Sequence, residues 1–183
     1  MTASVEPAVR DDSQYRGTHS EEILVDVKDL RMYFPVTEGA IISRVVAEVK
    51  AVDGVSFFIR RGETLGLVGE SGCGKTTTGR CIIRLENPTD GKIIFRGQDL
   101  TELSQKQLIE ARQKIQIIFQ DPYSSLNPRM TIGDMIGEPM QVHGIIPDPV
   151  KRNNRVRELL TVCGLEVGFA DRYPHEMSGG QRQ

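Results

Sequence analysis

The sequence contains no stretch of apolar residues long enough to cross a lipid bilayer as a helix. Its longest candidate, residues 41–59, is interrupted by charged side chains at Arg44, Glu48, Lys50 and Asp53. The N-terminus also lacks the basic segment followed by an apolar segment that is typical of a secretory signal. We therefore expect any association with a membrane to run through another protein.

Cysteine is scarce as well. The 183 residues contain Cys73, Cys81 and Cys163, an odd number without metal-type spacing, which argues against a disulfide framework and favours a reducing compartment. The formal net charge is −2, so the chain has no broad basic surface, and nucleic acid is not expected as a partner. The sequence also lacks internal repeats and low-complexity tracts.

One segment carries a specific motif. Residues Gly69 to Thr76 read GESGCGKT, which matches the pattern G-x-x-x-x-G-K-[ST] of a phosphate-binding P-loop. The apolar run 64–68 before it predicts a buried strand, and residues 77–85 after it predict a helix. In that arrangement backbone N–H groups and a helix N-terminus attract phosphate. The alternative, a glycine-rich turn with a solvated lysine, does not explain the flanking pattern.

Each residue type in the loop suits a nucleoside triphosphate and Mg²⁺. Gly72 and Gly74 let the backbone curl around phosphate, and Lys75 can reach the β- and γ-phosphates. The hydroxyl of Thr76 can bind Mg²⁺, and Thr77 can serve the α-phosphate. The predicted nucleotide-binding residues of this segment are Gly69, Glu70, Ser71, Gly72, Cys73, Gly74, Lys75, Thr76 and Thr77, with the thiol of Cys73 read as incidental.

The rest of the chain predicts an α/β organisation. Residues 1–20 are polar and aperiodic and are expected to be disordered. Strands are predicted at 23–27, 51–59, 92–96 and 115–119, with 35–50 as a surface excursion. The remaining predictions are helices. One starts at Ser104, whose pairing with Gln107 resembles a capping box, and runs to about Arg112; a second starts at Thr131, which forms another capping box with Asp134, and runs toward His143. The third covers Val150–Cys163 and is ended by Gly164.

Two further features lie downstream. Gln120 ends a predicted strand and opens a polar loop, where its amide oxygen could bind Mg²⁺ and the attacking water. Taken alone, a glutamine in this position is more often an ordinary polar residue at a strand end. Met177 to Gln183 read MSGGQRQ. A Ser-Gly-Gly segment is usually only a flexible turn, but at the start of a helix its amides and hydroxyl suit a γ-phosphate.

Together these motifs make the chain resemble the ATP-binding subunit of an ABC transporter. GESGCGKT matches the Walker A motif, Gln120 the Q-loop glutamine, and MSGGQ the signature LSGGQ, with Met177 in place of leucine. The segments AVDGVSF, FQDPYSSLNPRMTIGDMIGEP and DRYPHEMSGGQRQ resemble the oligopeptide/dipeptide importer branch. The resemblance implies a P-loop NTPase fold with a RecA-like core, an antiparallel β subdomain and a helical signature subdomain, incomplete at the C-terminus.

The resemblance also implies roles for particular residues. Lys75 and Gln120 would be catalytic, Thr76 and Gln120 would bind Mg²⁺, and Phe34, with Tyr33 as the alternative, would stack on adenine. A partner cassette's nucleotide would be bound by the signature residues Ser178, Gly179, Gly180 and Gln181. His143 and His175 are read as structural or exposed. The predicted domains are a tail at 1–20, a nucleotide-binding core at 21–119, and a Q-loop and helical subdomain at 120–183.

The implied function is coupling of ATP binding and hydrolysis to import of peptides or similar solutes, from the cytoplasmic face of the cell membrane. The implied partners are membrane-spanning permease subunits, contacted through Tyr123 to Pro128, a second ATP-binding subunit and, indirectly, an extracellular solute-binding protein. The family's Walker B aspartate, catalytic glutamate and switch histidine are absent from these 183 residues, so we expect a fragment without hydrolysis of its own. The alternatives are a non-catalytic ATP-binding module, an ABC ATPase of a soluble system, and another P-loop enzyme such as a kinase or GTPase.

Overall fold

A computed structural model describes residues 22–38, 44–121 and 125–183. The tail at 1–20, part of the excursion (39–43) and part of the expected permease contact (122–124) lie outside the described residues. The chain divides into two compact units, which meet in sequence between Leu108 and Ile109 and are described separately. The proposed domain boundary between residues 119 and 120 stays a prediction.

The first unit is built on a four-stranded antiparallel sheet with the strand order β2-β1-β3-β4. The predicted strands at 23–27, 51–59 and 92–96 are confirmed, but the first two extend into the segment predicted as an excursion, where Pro35 pairs with Glu48. The described part of that segment is therefore a continuation of the hairpin. The strands are β1 (Ile23–Glu38), β2 (Arg44–Arg60), β3 (Asp90–Phe95) and β4 (Gln98–Asp99).

Helix α1 (Lys75–Ile82) follows the P-loop and packs against β1 and β2. It buries Thr78 and Cys81, and the Thr78 hydroxyl donates to the Gly74 carbonyl at 3.0 Å. Cys81 is removed from water together with the apolar residues of the sheet, so this layer fixes the P-loop helix on the sheet. The buried apolar residues of these elements are Val27, Leu30, Met32, Val52, Cys81, Ile93 and Phe95.

A short 3₁₀ turn (Leu100–Glu102) and helix α2 (Gln105–Arg112) follow β4. The predicted capping box is confirmed. The Ser104 N–H donates to the Gln107 side-chain oxygen at 3.0 Å, and the Gln107 N–H donates to the Ser104 hydroxyl at 3.5 Å.

The second unit is helical, and the helices predicted from Thr131 and over Val150–Cys163 are confirmed. The Thr131 hydroxyl caps its first long helix by accepting from the Asp134 N–H at 3.1 Å, and Asp148 caps the next by accepting from the Lys151 N–H at 2.9 Å. Gly164, at φ +74°, follows the end of the second helix, as expected. The elements are α3 (Ile132–Val142), α4 (Pro149–Val162), 3₁₀ turns at Val167–Asp171 and Pro174–Glu176, and α5 (Gly179–Arg182).

One apolar cluster holds the second unit together. The side chains of Phe169 and Met177 are buried in it, so the chain that approaches the signature motif is anchored to both long helices. None of the helices within the described ranges is long and apolar enough to cross a membrane. The buried members of the cluster are Ile132, Val156, Leu160, Phe169 and Met177.

Two sequence predictions are wrong: the buried strands at 64–68 and 115–119 are not formed. Val68 is 91% exposed and Ile118 is 98% exposed, although both sit in apolar runs typical of a sheet interior. A strand requires a hydrogen-bonded neighbour, and neither run is paired within residues 22–38, 44–121 and 125–183. The apolar pattern thus shows that these residues are suited to burial, but it does not show that a neighbouring strand is present to pair with them.

Candidate functional site

The P-loop spans residues 69–76 and leads directly into α1. Gly72 and Gly74 adopt positive φ angles of +83° and +95°, in the left-handed region that side chains with a Cβ avoid. Gly74 is the N-cap of α1; it provides no capping side chain, and the first turn contains no acidic residue. No side chain therefore caps the N–H groups of that first turn, and uncapped N–H groups at a helix start favour an anion.

The ammonium group of Lys75 folds back over its own loop. It donates to the carbonyl of Gly69 at 2.8 Å and to the carbonyl of Glu70 at 2.7 Å, and it lies 3.5 Å from the sulfur of Cys73. This places a positive charge across the concave side of the loop, where anionic oxygens would meet it. The carbonyl contacts also fix the long side chain, which lowers the entropy that an ion contact would otherwise cost.

The P-loop is seated against a β-bulge of the sheet. Met32 pairs with Val52, and the next residue of β1, Tyr33, pairs with Lys50, so Ala51 is an extra residue on β2. A Cβ built on Gly74 would lie 2.1 Å from the Ala51 carbonyl oxygen and 3.6 Å from the Val52 side chain. Sequence reasoning missed this contact because a bulge leaves no residue-type signal in AVDGVSF.

The two aromatic candidates for base stacking lie on opposite faces of β1. Alternation along a strand places Phe34 on the face of Met32 and Val52, the face that carries the P-loop contact, and Tyr33 on the other face. Phe34 is 38% exposed. The predicted stacking residue is therefore accessible on the face of the sheet that contacts Gly74.

Tyr33 is occupied by a polar cluster on its own face. Its hydroxyl donates to Asp53, and Lys50 donates to the same carboxylate at 3.2 Å while lying 5.1 Å from the centre of the tyrosine ring. The hydrogen bond from Tyr33, followed by that from Lys50, lowers the pKa of Asp53. The bond to Asp53 raises the pKa of both Tyr33 and Lys50. This arrangement is a solvent-facing structural cluster.

The remaining predicted site residues lie in the second unit. Gln120 is exposed, at the end of the 115–119 segment. Ser178 is the N-cap of α5: its N–H donates to the Gln181 side-chain oxygen at 2.9 Å, and its hydroxyl accepts from the Gln181 N–H at 3.4 Å. This capping box uses the oxygen of the serine hydroxyl as an acceptor and leaves its O–H able to donate. Gly179 is half-buried and Gly180 is exposed.

His143 and His175, expected to be structural or exposed, each make a local contact. The Gln113 amide lies 3.3 Å from a ring nitrogen of His143, and the His175 ring stacks on Tyr173 with centroids 5.7 Å apart. Among the described residues, no group of three or more histidine, cysteine, aspartate or glutamate side chains is placed to hold a metal ion.

The sequence profile of the family described as "ABC transporter" matches residues 52–183. The chain belongs to the ABC transporter family. The match includes the P-loop, Gln120 and the signature segment. It confirms the family suggested by the three motifs, and the α/β P-loop fold is confirmed with it.

Curated relatives of this chain are named for oligopeptide transport and glutathione import. It is 52% identical over 165 residues to the oligopeptide transport ATP-binding protein AppF of Bacillus subtilis, an alignment that covers 90% of the chain and 50% of AppF. It is also 52% identical over 162 residues to the glutathione import ATP-binding protein GsiA of Escherichia coli K12, covering 88% of the chain and 26% of GsiA. The chain therefore spans about half the length of AppF.

Solved ABC cassettes share the fold. The dimeric structure of the cassette MJ0796 in a post-hydrolysis state bound to ADP and Pi matches with a TM-score of 0.71 at 27% identity, covering 86% of this chain and 65% of that one. A second dimeric structure of MJ0796 matches with a TM-score of 0.72 at 26% identity and the same coverage. Both neighbours are dimers, and the first contains nucleotide and phosphate.

Proposed function

We propose that this cassette is the ATP-binding part of an importer of peptides or similar small solutes, working at the cytoplasmic face of the cell membrane. The observation that carries the proposal is the P-loop with its lysine in place over the concave side, in a chain 52% identical to AppF and OppF, both named for oligopeptide transport.

The residues present fit Mg²⁺ and ATP. The left-handed Gly74, which has no room for a Cβ, shapes the cradle that a triphosphate would enter, and Lys75 lies across its mouth. Thr76 provides an exposed hydroxyl and Gln120 an exposed amide oxygen, both hard oxygen ligands of the kind that Mg²⁺ prefers. When bound, Mg²⁺ would neutralise charge on the phosphate oxygens.

In the proposed mechanism the P-loop residues bind one ATP, and the signature residues bind the nucleotide of a second subunit. Lys75 and the amides of residues 69–77 hold the phosphates of one ATP, and Phe34 stacks on its base. In a head-to-tail pair, Ser178, Gly179, Gly180 and Gln181 would face the nucleotide of a second ATP-binding subunit, identical or different. Gln120 would orient the attacking water and link the site to permease subunits, which an extracellular binding protein would supply with solute.

A polypeptide of these 183 residues is expected to bind nucleotide without hydrolysing it. No apolar run ending in Asp-Glu follows the P-loop in this sequence, and thus no carboxylate of that type is present to orient or deprotonate water. A non-catalytic binding role is accordingly the second reading for the polypeptide by itself. An ABC ATPase of a soluble, nucleic-acid-binding system would require a basic surface, which a net charge of −2 does not favour.

The test compares Lys75→Ala with Ser178→Ala in the native gene product. Lys75→Ala should abolish nucleotide binding by the monomer, whereas Ser178→Ala should retain it and weaken dimerisation driven by a non-hydrolysable ATP analogue. Ser104→Ala is the matched control, because Ser104 is another N-cap serine in a capping box with a glutamine three residues later. Equal loss of monomer affinity in the Lys75 and Ser178 variants would exclude the assignment of Ser178 to a partner's nucleotide.

A further inference from the structure

The first turn of α3 lies directly against the segment that leads into the signature motif. The N–H of Ile132 donates to the carbonyl of Arg172 at 2.8 Å. A Cβ built on Gly133 would lie 2.8 Å from the carbonyl oxygen of Ala170 and 3.3 Å from its Cβ. Backbone therefore meets backbone here, and no flexible side chain lies between the two segments to absorb a displacement.

The contacted segment is short and leads directly to Ser178. After Arg172 the chain passes through the Pro174–Glu176 turn, in which the Tyr173 N–H donates to the Glu176 carboxylate at 2.7 Å. It then buries Met177 in the same apolar cluster as Ile132. Ser178 follows at once as the N-cap of α5. The signature serine is thus held by anchors at both ends of a segment of seven residues, 172–178.

A second observation shows that the close approach is specific to one glycine. Gly137, one turn further along α3, has room for a Cβ: its nearest neighbours would be side-chain atoms of Arg152 at 3.5 and 3.6 Å, an ordinary contact. Gly168, in the facing 3₁₀ turn, has open space, and a Cβ there would meet no atom within 4 Å. Neither Gly133 nor these two has a positive φ, so backbone strain does not distinguish them. Of the three, Gly133 alone is restricted by the facing backbone.

We propose that Gly133 is a positioning residue for the signature serine: its missing side chain lets α3 approach residues 170–172 and thereby sets where Ser178 stands. The inference rests on the proposed role of Ser178 at a partner's nucleotide. A Cβ at Gly133 would have to push the Ala170 backbone away by several tenths of an ångström. Such a displacement would reach Ser178, because Arg172 is hydrogen-bonded to Ile132 and Met177 is buried in the same apolar cluster as Ile132.

The experiment measures three quantities in the native gene product: monomer affinity for a non-hydrolysable ATP analogue, dimerisation driven by that analogue, and the midpoint of thermal unfolding. Gly133→Ala is compared with Gly137→Ala on the same helix and Gly168→Ala in the facing turn. We expect Gly133→Ala to leave monomer affinity unchanged and to weaken dimerisation about tenfold, since small misplacements of site groups cost one to two orders of magnitude. The two control variants should dimerise as the unsubstituted protein does.

Substitutions at Ala170, on the other side of the contact, provide an independent test. Ala170→Ser adds one atom to a side chain whose Cβ lies next to Gly133, so it should weaken dimerisation in the same direction. It serves in place of Gly133→Ala should that variant not fold. Ala170→Gly combined with Gly133→Ala removes the 3.3 Å Cβ contact and should restore part of the lost dimerisation. This rescue would not follow from a general loss of stability.

Each outcome decides the inference. Dimerisation by Gly133→Ala and Ala170→Ser at the level of the controls overturns it, as does a parallel fall in monomer affinity. If Ser178→Ala weakens dimerisation while Gly133→Ala does not, the proposed function stands and only the positioning role fails. If Ser178→Ala has no effect, the proposed role of the signature serine fails first and the inference falls with it.

Discussion

Gly74 faces the carbonyl group of Ala51 so closely that a Cβ on the glycine would lie 2.1 Å from the carbonyl oxygen. The contact joins the last glycine of the P-loop to the bulge in β2. It means that the shape of the phosphate cradle depends on the sheet behind it and not only on the glycines within the loop.

The contact predicts a graded response to alanine at three glycines. Gly74→Ala combines a positive φ of +95° with the clash and should abolish ATP binding. Gly72→Ala has a positive φ of +83° but open space, so we expect a cost of about 1–2 kcal/mol from the left-handed backbone and a partial loss of affinity. Gly79→Ala, within α1 and unobstructed, should raise stability by about 0.5–1 kcal/mol and leave binding unchanged.

Equilibrium binding of a fluorescent ATP analogue and thermal unfolding would check the series. An equal effect of Gly72→Ala and Gly74→Ala on affinity would mean that the Ala51 contact does not shape the cradle. The Gly79 variant controls for the general effect of adding a methyl group near the loop.

The positions of Phe34 and Tyr33 on opposite faces of β1 predict different responses to substitution. Phe34→Ala should weaken ATP binding by about 1–3 kcal/mol, the amount typical of one base–aromatic stack, and Phe34→Tyr should preserve binding because stacking requires only a ring face. Tyr33→Phe keeps the ring and removes only the hydroxyl that donates to Asp53, so affinity should not change.

The comparison to make is the ratio of ATP to inorganic triphosphate affinity in each variant. Only loss of a base contact lowers that ratio. Should Tyr33→Ala lower it and Phe34→Ala leave it unchanged, the base stacks on the other face and the assignment of Phe34 is wrong.

The helix caps of this chain could be predicted from the sequence, whereas the pairing of the apolar run 115–119 with a neighbouring strand could not. The capping box at Ser104 and Gln107 and the cap at Thr131 were predictable because each depends on residues three apart. The prediction of a strand at 115–119 is wrong, since the apolar pattern of that run is the same whether or not a neighbouring strand is present.

The same distinction holds for the site. The residues of the P-loop are identified by type and spacing, whereas their support from Ala51 arises from a register shift between β1 and β2. The approach of Gly133 to Ala170 joins segments distant in sequence. No pattern within either segment predicts such contacts, because they are set by how two backbones pack.

The cluster of Tyr33, Lys50 and Asp53 predicts a pH dependence of stability with two limits. The lowered pKa of Asp53 means that its contribution is present above the unfolded-state value of about 3.9 and is lost as the pH falls through the lower folded value. The raised pKa values of Tyr33 and Lys50 mean that their contributions are present below about pH 10 and are lost as the pH rises through the higher folded values.

Titration of tyrosinate absorbance would test the alkaline limit. The chain has 4 tyrosines, so the difference between the unsubstituted protein and Tyr33→Phe isolates the titration of Tyr33. That titration should lie above pH 10 and move down in Asp53→Asn, which removes the negative charge. Asp26→Asn is the control, because Asp26 pairs instead with Lys28 at 3.1 Å. No shift in Asp53→Asn would show that the hydrogen bond does not control the phenol.

The three cysteines predict a pattern of chemical labelling that reports nucleotide binding directly. Cys81 is fully buried in α1, and burial, assisted by the charge of Glu86, raises the pKa of its thiol to about 11. At pH 8 its thiolate fraction is about two hundredfold smaller than that of a thiol with the reference pKa of about 8.5. We therefore expect a maleimide to modify exposed Cys163 and half-buried Cys73 while leaving Cys81 intact until the protein unfolds.

ATP should then protect only one of the three. Cys73 lies within the P-loop, 3.5 Å from the Lys75 ammonium, so a bound triphosphate would cover it, whereas Cys163 follows α4 in the other compact unit. Peptide mapping after timed labelling, with and without a non-hydrolysable ATP analogue, measures each rate separately. Equal protection of Cys73 and Cys163 would indicate a general tightening of the fold. Labelling of Cys73 at saturating nucleotide as fast as without nucleotide would show that the phosphates do not bind at this loop.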